Sequence, residues 1–308
     1  MFTTKASSSR TAGDIVQEMI QNVGFTTTTT KAGWCLREGL VHVMTVDNGR
    51  LLPLVQSQGP PSFYHSLESC RHKATDSSML STRTPKNCFQ SLCRIIAGQQ
   101  LAGKAAQAIW KRLLETTQND LTPKTVVSLA GPSGVHLETA IQKPAGLSRA
   151  KSRAIWDLSL KFQQGELTED FLTNPQTSEL TIREALLNVK GLGPWSCDMF
   201  LMFHLERPNV FPFGDLGVRK GVAKTFDVKN GKGTKGSMCQ KKDLERALSL
   251  VKPYLPYQSL LAYYMWKAAD TKDVYAEVDA AEQENGVEKE ATATPSRGRK
   301  RARVVTPS

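Results

Sequence analysis

The sequence has 308 residues, 40 Lys and Arg against 29 Asp and Glu, and a formal net charge of +11, with a pI near 9.4. That length supports one large or two modest domains with a real core, and the charge makes a polyanion the first partner to consider, without separating nucleic acid from an acidic membrane surface. No apolar run approaches the roughly 18 to 20 residues that cross a bilayer, because Arg94, Gln99 and Lys104 interrupt the longest ones, so no membrane contact is expected.

In chain order, residues 1–32 are rich in Ser and Thr, include the run Thr26 to Thr30, and hold few apolar residues besides Ile15, Val16, Met19 and Ile20. The expectation is a disordered arm; its basic, acid-free beginning also fits a transit peptide, against which Asp14 and Glu18 count. From there to about residue 270, apolar residues recur at spacings of three and four, which predicts an all-α fold. Cys88 to Leu114 reads as two helices meeting at a turn, Gly98 to Leu101. Further helices are expected near 125–130, 149–164, 181–189, 195–205, 216–225, 242–251 and 257–269. Asn230 to Gly236 is too rich in glycine for a regular element and reads as a loop. Residues 276–308 turn from acidic, Glu277 to Glu290, to basic, Arg297 to Arg303. A solvated tail is expected there, its basic part a nuclear localisation signal, an extra phosphate-binding patch or only a soluble end. The six cysteines are scattered with no CxxC pair, as expected of reduced thiols in an intracellular protein.

The stretch that carries chemistry begins at Leu186 and runs through Gly191, Gly193 and Pro194 to Phe203. Two glycines let the backbone turn sharply and come close to a partner, and Pro194 suits the first turn of a helix. Backbone N–H groups at that helix start, aided by the dipole, form a seat for one phosphate. Such a hairpin also occurs as an ordinary corner between helices, so its neighbour decides. Asp215 stands 20 residues beyond Trp195, directly before an apolar-periodic helix. It reads as an N-cap, as a carboxylate aimed into a cleft, or as both, since a capping position fixes the side chain near a helix start.

With these residues in view, the sequence resembles the helix-hairpin-helix glycosylases that end in a Gly/Pro-rich loop and an Asp, above all their alkyladenine branch, the bacterial and yeast 3-methyladenine DNA glycosylases. The resemblance covers about residues 35 to 270. It rests on Ile95-Ile-Ala-Gly-Gln-Gln-Leu101 with Lys104-Ala-Ala106, Gly146-Leu-Ser-Arg-Ala-Lys151, the hairpin, Phe213-Gly-Asp-Leu-Gly-Val218 and Tyr263-Tyr-Met-Trp266. It implies a two-lobed all-helical unit over 33–275, one lobe of about 86–204 and the other of 33–85 with 205–275, and a DNA-binding groove between them.

The resemblance also implies roles. Asp215 matches the catalytic carboxylate. Gly191, Gly193 and Ser196 match the hairpin amides that hold a phosphate, and the carbonyls of Leu187, Val189 and Leu192 match those that hold a structural Na+ or K+. Trp195 stands where lyase-active relatives keep a Schiff-base lysine, so the enzyme would be monofunctional. Trp195, Trp266 and Met199 would line the base pocket, with Met199 in place of a bacterial Tyr. Gln100, with Leu101, would be the wedge that fills the gap left by a flipped nucleotide. The region before residue 35 has no counterpart of the small sheet domain of the bacterial enzyme, which points to the yeast-like architecture. Only Cys239 stands in the C-terminal part, so no four-cysteine iron-sulfur loop is expected and no cofactor is required.

The expected reaction is hydrolysis of the N-glycosidic bond of 3-methyladenine, 7-methylguanine and similar alkylated purines in double-stranded DNA, by a monomer acting in the nucleus, or in a mitochondrion or plastid if residues 1–32 are a transit peptide. An anion beside the sugar stabilises the oxocarbenium-like transition state. A base that is already cationic needs no second carboxylic acid, and tryptophan faces attract it. Asp198 is expected to be a solvated or capping residue, and the five histidines show no metal-ligand spacing. The rival readings are a catalytically silent DNA-binding module and a bifunctional glycosylase/lyase for oxidised bases.

Overall fold

Four helix starts in the middle of the chain are capped by a Ser or Thr hydroxyl that accepts a backbone N–H three residues on: Thr122, Ser148, Thr168 and Ser178. Each such cap contributes about 1 kcal/mol. These starts belong to a computed structural model that describes residues 10–23, 29–61, 85–101, 103–131, 133–228 and 238–271. The rest of the N-terminal arm, the loop Asn230 to Gly236 and the acidic-to-basic tail lie outside the described residues.

Among the described residues the regular elements are helical, with one isolated bridge between Thr29 and Cys35. A first group comprises α4 (Cys88–Gly98), α5 (Gly103–Thr116), α6 (Pro123–Ala130), α7 (Arg149–Gln163), α8 (Glu169–Thr173), α9 (Glu179–Leu187) and α10 (Pro194–Phe203), after α1 (Ala12–Val23), α2 (Leu36–Thr45) and α3 (Leu52–Gln58) earlier in the chain. Helix α4 packs on α5, α7 and α10, and α6 packs on α7. Their shared core includes Phe89, Leu92, Ile96, Leu113, Ile155, Leu158, Ile182 and Phe200. A second group joins α1–α3 to α11 (Leu216–Thr225) and α13 (Gln258–Asp270), with α12 (Leu244–Val251) between those two in sequence. Helices α11 and α13 come into backbone contact at Gly221, where a Cβ would lie 1.9 Å from the Met265 carbonyl oxygen. That approach brings Trp266 to the start of α11. Glu206, fully buried, ties the segment before α2 to the end of α10: its carboxylate accepts the Lys31 N–H at 2.7 Å and its carbonyl accepts the Trp34 indole N–H at 2.7 Å.

The seven expected helices and the α4–α5 pair are present, with ends shifted by a few residues or fewer. The arm expected over residues 1–32 is not uniformly irregular. Helix α1 occupies Ala12–Val23 and buries Val16 and Ile20, one turn apart, as it packs on α2. Its start is reciprocal capping: the Asp14 carboxylate accepts the Thr11 N–H at 3.0 Å, and the Thr11 hydroxyl accepts the Asp14 N–H at 3.2 Å. Helices α2, α3 and α8 carry no sequence expectation; α3 and α8 are under eight residues, too short for a clear period.

Candidate active site at the hairpin and Asp215

Helices α9 and α10 enclose the predicted hairpin. The Val189 N–H donates to the Leu186 carbonyl at 3.0 Å and the Leu192 N–H to the Val189 carbonyl at 3.1 Å, which closes the turn, while Val189 and Leu192 bury their side chains beneath it. Gly191 is required twice over: its φ is +84°, and a Cβ there would lie 2.8 Å from the Ala154 Cβ of α7. Gly193 caps α10 with no side-chain bond, and a Cβ there would meet nothing within 4 Å. The backbone is open at Gly193, and the first N–H groups of α10 have no partner within their own helix, which an anion seat would use.

The N-cap reading of Asp215 is met, and its carboxylate takes further partners as well. As N-cap of α11, its Oδ1 accepts the Val218 N–H at 3.0 Å. The same Oδ1 accepts the Trp266 indole N–H at 2.8 Å, and Oδ2 accepts the Trp195 indole N–H at 2.9 Å. Asp215, Trp195 and Trp266 are all only half-buried. The carboxylate is thus held by three donors from α10, α11 and α13, with part of its surface left to solvent. Sequence reasoning grouped the two tryptophans as base-pocket faces and missed their bonds to the carboxylate. Trp266 also stacks on Phe203, with ring centroids 5.6 Å apart. Gly217 makes room for it: a Cβ at that position would lie 2.7 Å from Trp266 Cδ1.

Met199, one turn beyond Trp195, is buried. Gln100 and Leu101 are exposed at the tip of the turn after α4, with Gln100 at φ +57°. The Ser196 side chain is buried and its hydroxyl accepts from the Gln99 amide at 3.0 Å. Leu187, at the end of α9, is exposed, and the last carbonyls of that helix are among those a helix leaves without internal partners.

Asp198 is neither solvated nor a cap. Arg183 of α9 bonds it at 2.6 Å, and the pair, with side chains 27% and 13% exposed, braces the two hairpin helices. Burial pushes the Asp198 carboxyl above its ordinary range, opposed by the Arg183 guanidinium.

The one group of potential metal ligands found among the described residues is Cys88, Glu169 and His204, whose ligand atoms lie within 4.8 Å of one another. Sequence spacing gave no sign of it. Both Glu169 oxygens already accept the Cys88 N–H, at 3.0 and 3.1 Å, and Lys31, Lys86 and Arg207 line the same cavity of about 230 Å³. Three cationic side chains beside it oppose a metal cation.

The sequence profile of the HhH-GPD superfamily matches residues 93–252, a span that holds the hairpin and Asp215. The chain belongs to the HhH-GPD superfamily of base excision DNA repair proteins. Within this superfamily it is 28% identical over 217 residues to the Saccharomyces cerevisiae DNA-3-methyladenine glycosylase, covering 61% of this chain and 69% of that protein. A match to a Bacillus subtilis relative, 29% identical over 123 residues, spans 40% of this chain and only 39% of that protein. In structure, the Schizosaccharomyces pombe 3-methyladenine DNA glycosylase in complex with abasic DNA shares the fold at a TM-score of 0.57 and 21% identity, over 77% of this chain and 98% of that one.

Proposed function

We propose that this HhH-GPD protein is a monofunctional DNA glycosylase that hydrolyses the N-glycosidic bond of alkylated purines, 3-methyladenine and 7-methylguanine among them, and leaves an abasic site. The observation that carries the reading is the half-buried Asp215 carboxylate, fixed by the indole N–H groups of Trp195 and Trp266 and the Val218 amide. A preorganised anion stabilises positive charge developing on the sugar without reorganising during the reaction. The extruded base would leave with its alkyl-induced charge neutralised, and a face of either tryptophan beside the carboxylate would attract that cation. An indole at position 195 offers no amine for a Schiff base, so strand cleavage by β-elimination has no nucleophile there.

The α10 amides at Gly193 and Ser196 would take a phosphate of the product strand, and the exposed Gln100 and Leu101 would fill the vacated stack. The hairpin carbonyls of Leu187, Val189 and Leu192 are hard oxygen donors suited to Na+ or K+, and Val189 retains a lone pair beyond its bond to Leu192. A bound cation there would add positive charge next to the phosphate seat. The glycosylase unit spans 33–275, acts as a monomer on double-stranded DNA, and the basic run Arg297 to Arg303 supports nuclear import.

The test is to incubate the protein with methylated genomic DNA, identify released bases by mass spectrometry, and treat a parallel reaction with borohydride. Free methylated purines without a trapped protein–DNA adduct are expected. A trapped adduct would overturn the monofunctional assignment, and absence of any released base would leave only the silent DNA-binding reading.

A further inference from the structure

We infer that Gln99 and Lys151 are positioning residues that lock the exposed turn Gly98 to Leu101 onto the phosphate-binding hairpin, so that wedge and phosphate seat move as one body. The inference rests on the glycosylase reading for the meaning of wedge and seat, and on the turn's geometry for everything else. Gln99 has φ −50° and ψ 134°, Gln100 has φ +57°, and the Leu101 N–H donates to the Gly98 carbonyl at 3.2 Å. This is a type II turn, whose third position favours glycine. Gln100 occupies it instead, and a non-glycine residue keeps such a conformation only where its surroundings over-determine it.

The surroundings do so from two sides. Lys151, in the first turn of α7, donates its ammonium to the carbonyls of Ala97 at 2.9 Å and Gln99 at 2.7 Å. A cation thereby meets carbonyls that the end of α4 leaves unpaired. Burial holds the Lys151 ammonium below the ordinary lysine range. On the other side the Gln99 amide donates both to the Gly191 carbonyl at 2.9 Å and to the Ser196 hydroxyl at 3.0 Å. One side chain thus spans the hairpin turn and the first turn of α10. Neither Gln99 nor Lys151 points at Asp215 or its tryptophans, so neither touches the reacting atoms by these bonds. Their task is to present Gln100 and Leu101 at a fixed height above the phosphate seat, so that the wedge is ordered before DNA arrives.

The test compares single-turnover release of 7-methylguanine from two duplexes, one with the lesion paired to cytosine and one with it in a single-nucleotide bulge that is already unpaired. Gln99→Ala and Lys151→Met should slow release from the paired duplex by about tenfold or more, as for a misplacement of less than ~1 Å, and leave the bulged duplex within about twofold of wild type. Lys151→Arg, which keeps a cation and donors, should recover part of the loss. Melting curves by circular dichroism accompany each variant; if Lys151→Met melts early, Gln99→Ala, at a half-buried side chain, decides. Equal slowing on both duplexes in a variant that melts like wild type, or no slowing on either, overturns the positioning role alone. Wild-type protein that releases base from neither duplex sinks the glycosylase reading and this one with it.

Discussion

Gly217→Ala places one methyl group against the Asp215–Trp266 pair. The new Cβ would stand 2.7 Å from Trp266 Cδ1, 3.2 Å from its Nε1 and 3.1 Å from Asp215 Oδ1. Carbon–carbon contact is relaxed at about 3.5 Å or more, so the indole must retreat by roughly 0.8 Å. Its bond to Asp215, now 2.8 Å, then lengthens toward ~3.6 Å, which is no longer a hydrogen bond. Overpacking costs about 1–3 kcal/mol, to which losing a bond to a charged group adds about 1.5–3 kcal/mol. At about 2–4 °C per kcal/mol for a unit of this size, the melting temperature should fall by at least ~5 °C. Single-turnover excision should fall by about 10²-fold, the scale of an ångström-level misplacement. Gly13→Ala is the control, because its Cβ would meet nothing closer than the Thr11 hydroxyl at 3.6 Å. Gly217→Ala with wild-type melting and wild-type excision would refute the claim that Trp266 is held against Asp215 at this distance.

Gly191→Ala meets both a φ of +84° and the Ala154 Cβ at 2.8 Å; fluorescence anisotropy should show weakened binding to abasic duplex, with a destabilisation of about 2–4 kcal/mol from backbone strain and overpacking. Arg183→Ala leaves the Asp198 carboxylate, 13% exposed, without its partner, and urea unfolding should register a loss of about 3 kcal/mol, much of it restored in the Arg183→Ala/Asp198→Ala double variant. Thiol labelling of native protein near pH 8, read by mass spectrometry, should mark Cys239 early, because the Lys242 and Lys241 N–H groups pull its thiol below the ordinary range. Cys197, which burial pushes up to about 11, and the buried Cys88 and Cys93, also raised by burial, should stay unlabelled.

The sequence made the long helices legible because α5 to α7, α9, α11 and α12 bury a limited face, α4, α10 and α13 are apolar nearly all round over two or more turns, and Ser or Thr caps mark several starts. Helix α1 was legible only in part: the Thr11-x-x-Asp14 cap and the Val16–Ile20 pair were there to be read, but the surrounding Ser and Thr outweighed them. At the site, Gly191, Gly193 and Asp215 followed from backbone needs and motif spacing, which are local. The bonds that complete the site are not local. Trp266 reaches Asp215 across 51 residues, Gln99 reaches Gly191 across 92, and Lys151 reaches Gln99 across 52. No periodicity encodes such pairings, which depend on how closely α11 and α13 approach at Gly221 and how α7 meets the end of α4. Lys151 stood inside a stretch already singled out, and Asp198 was seen but taken for a solvated group, because neither an acceptor nor an ion-pair partner can be assigned before the helices are packed.

The most direct measurement is single-turnover release of 7-methylguanine by Asp215→Asn beside wild type. Asparagine caps a helix as well as aspartate does, so α11 and the fold should persist while the negative charge is lost. Release should fall by about 10²-fold or more with abasic-DNA affinity nearly unchanged, while the melting temperature drops by several degrees because an amide offers one oxygen where the carboxylate offers two to the Trp195 and Trp266 indoles. Asp215→Asn that releases the base at the wild-type rate would contradict the role assigned to this carboxylate.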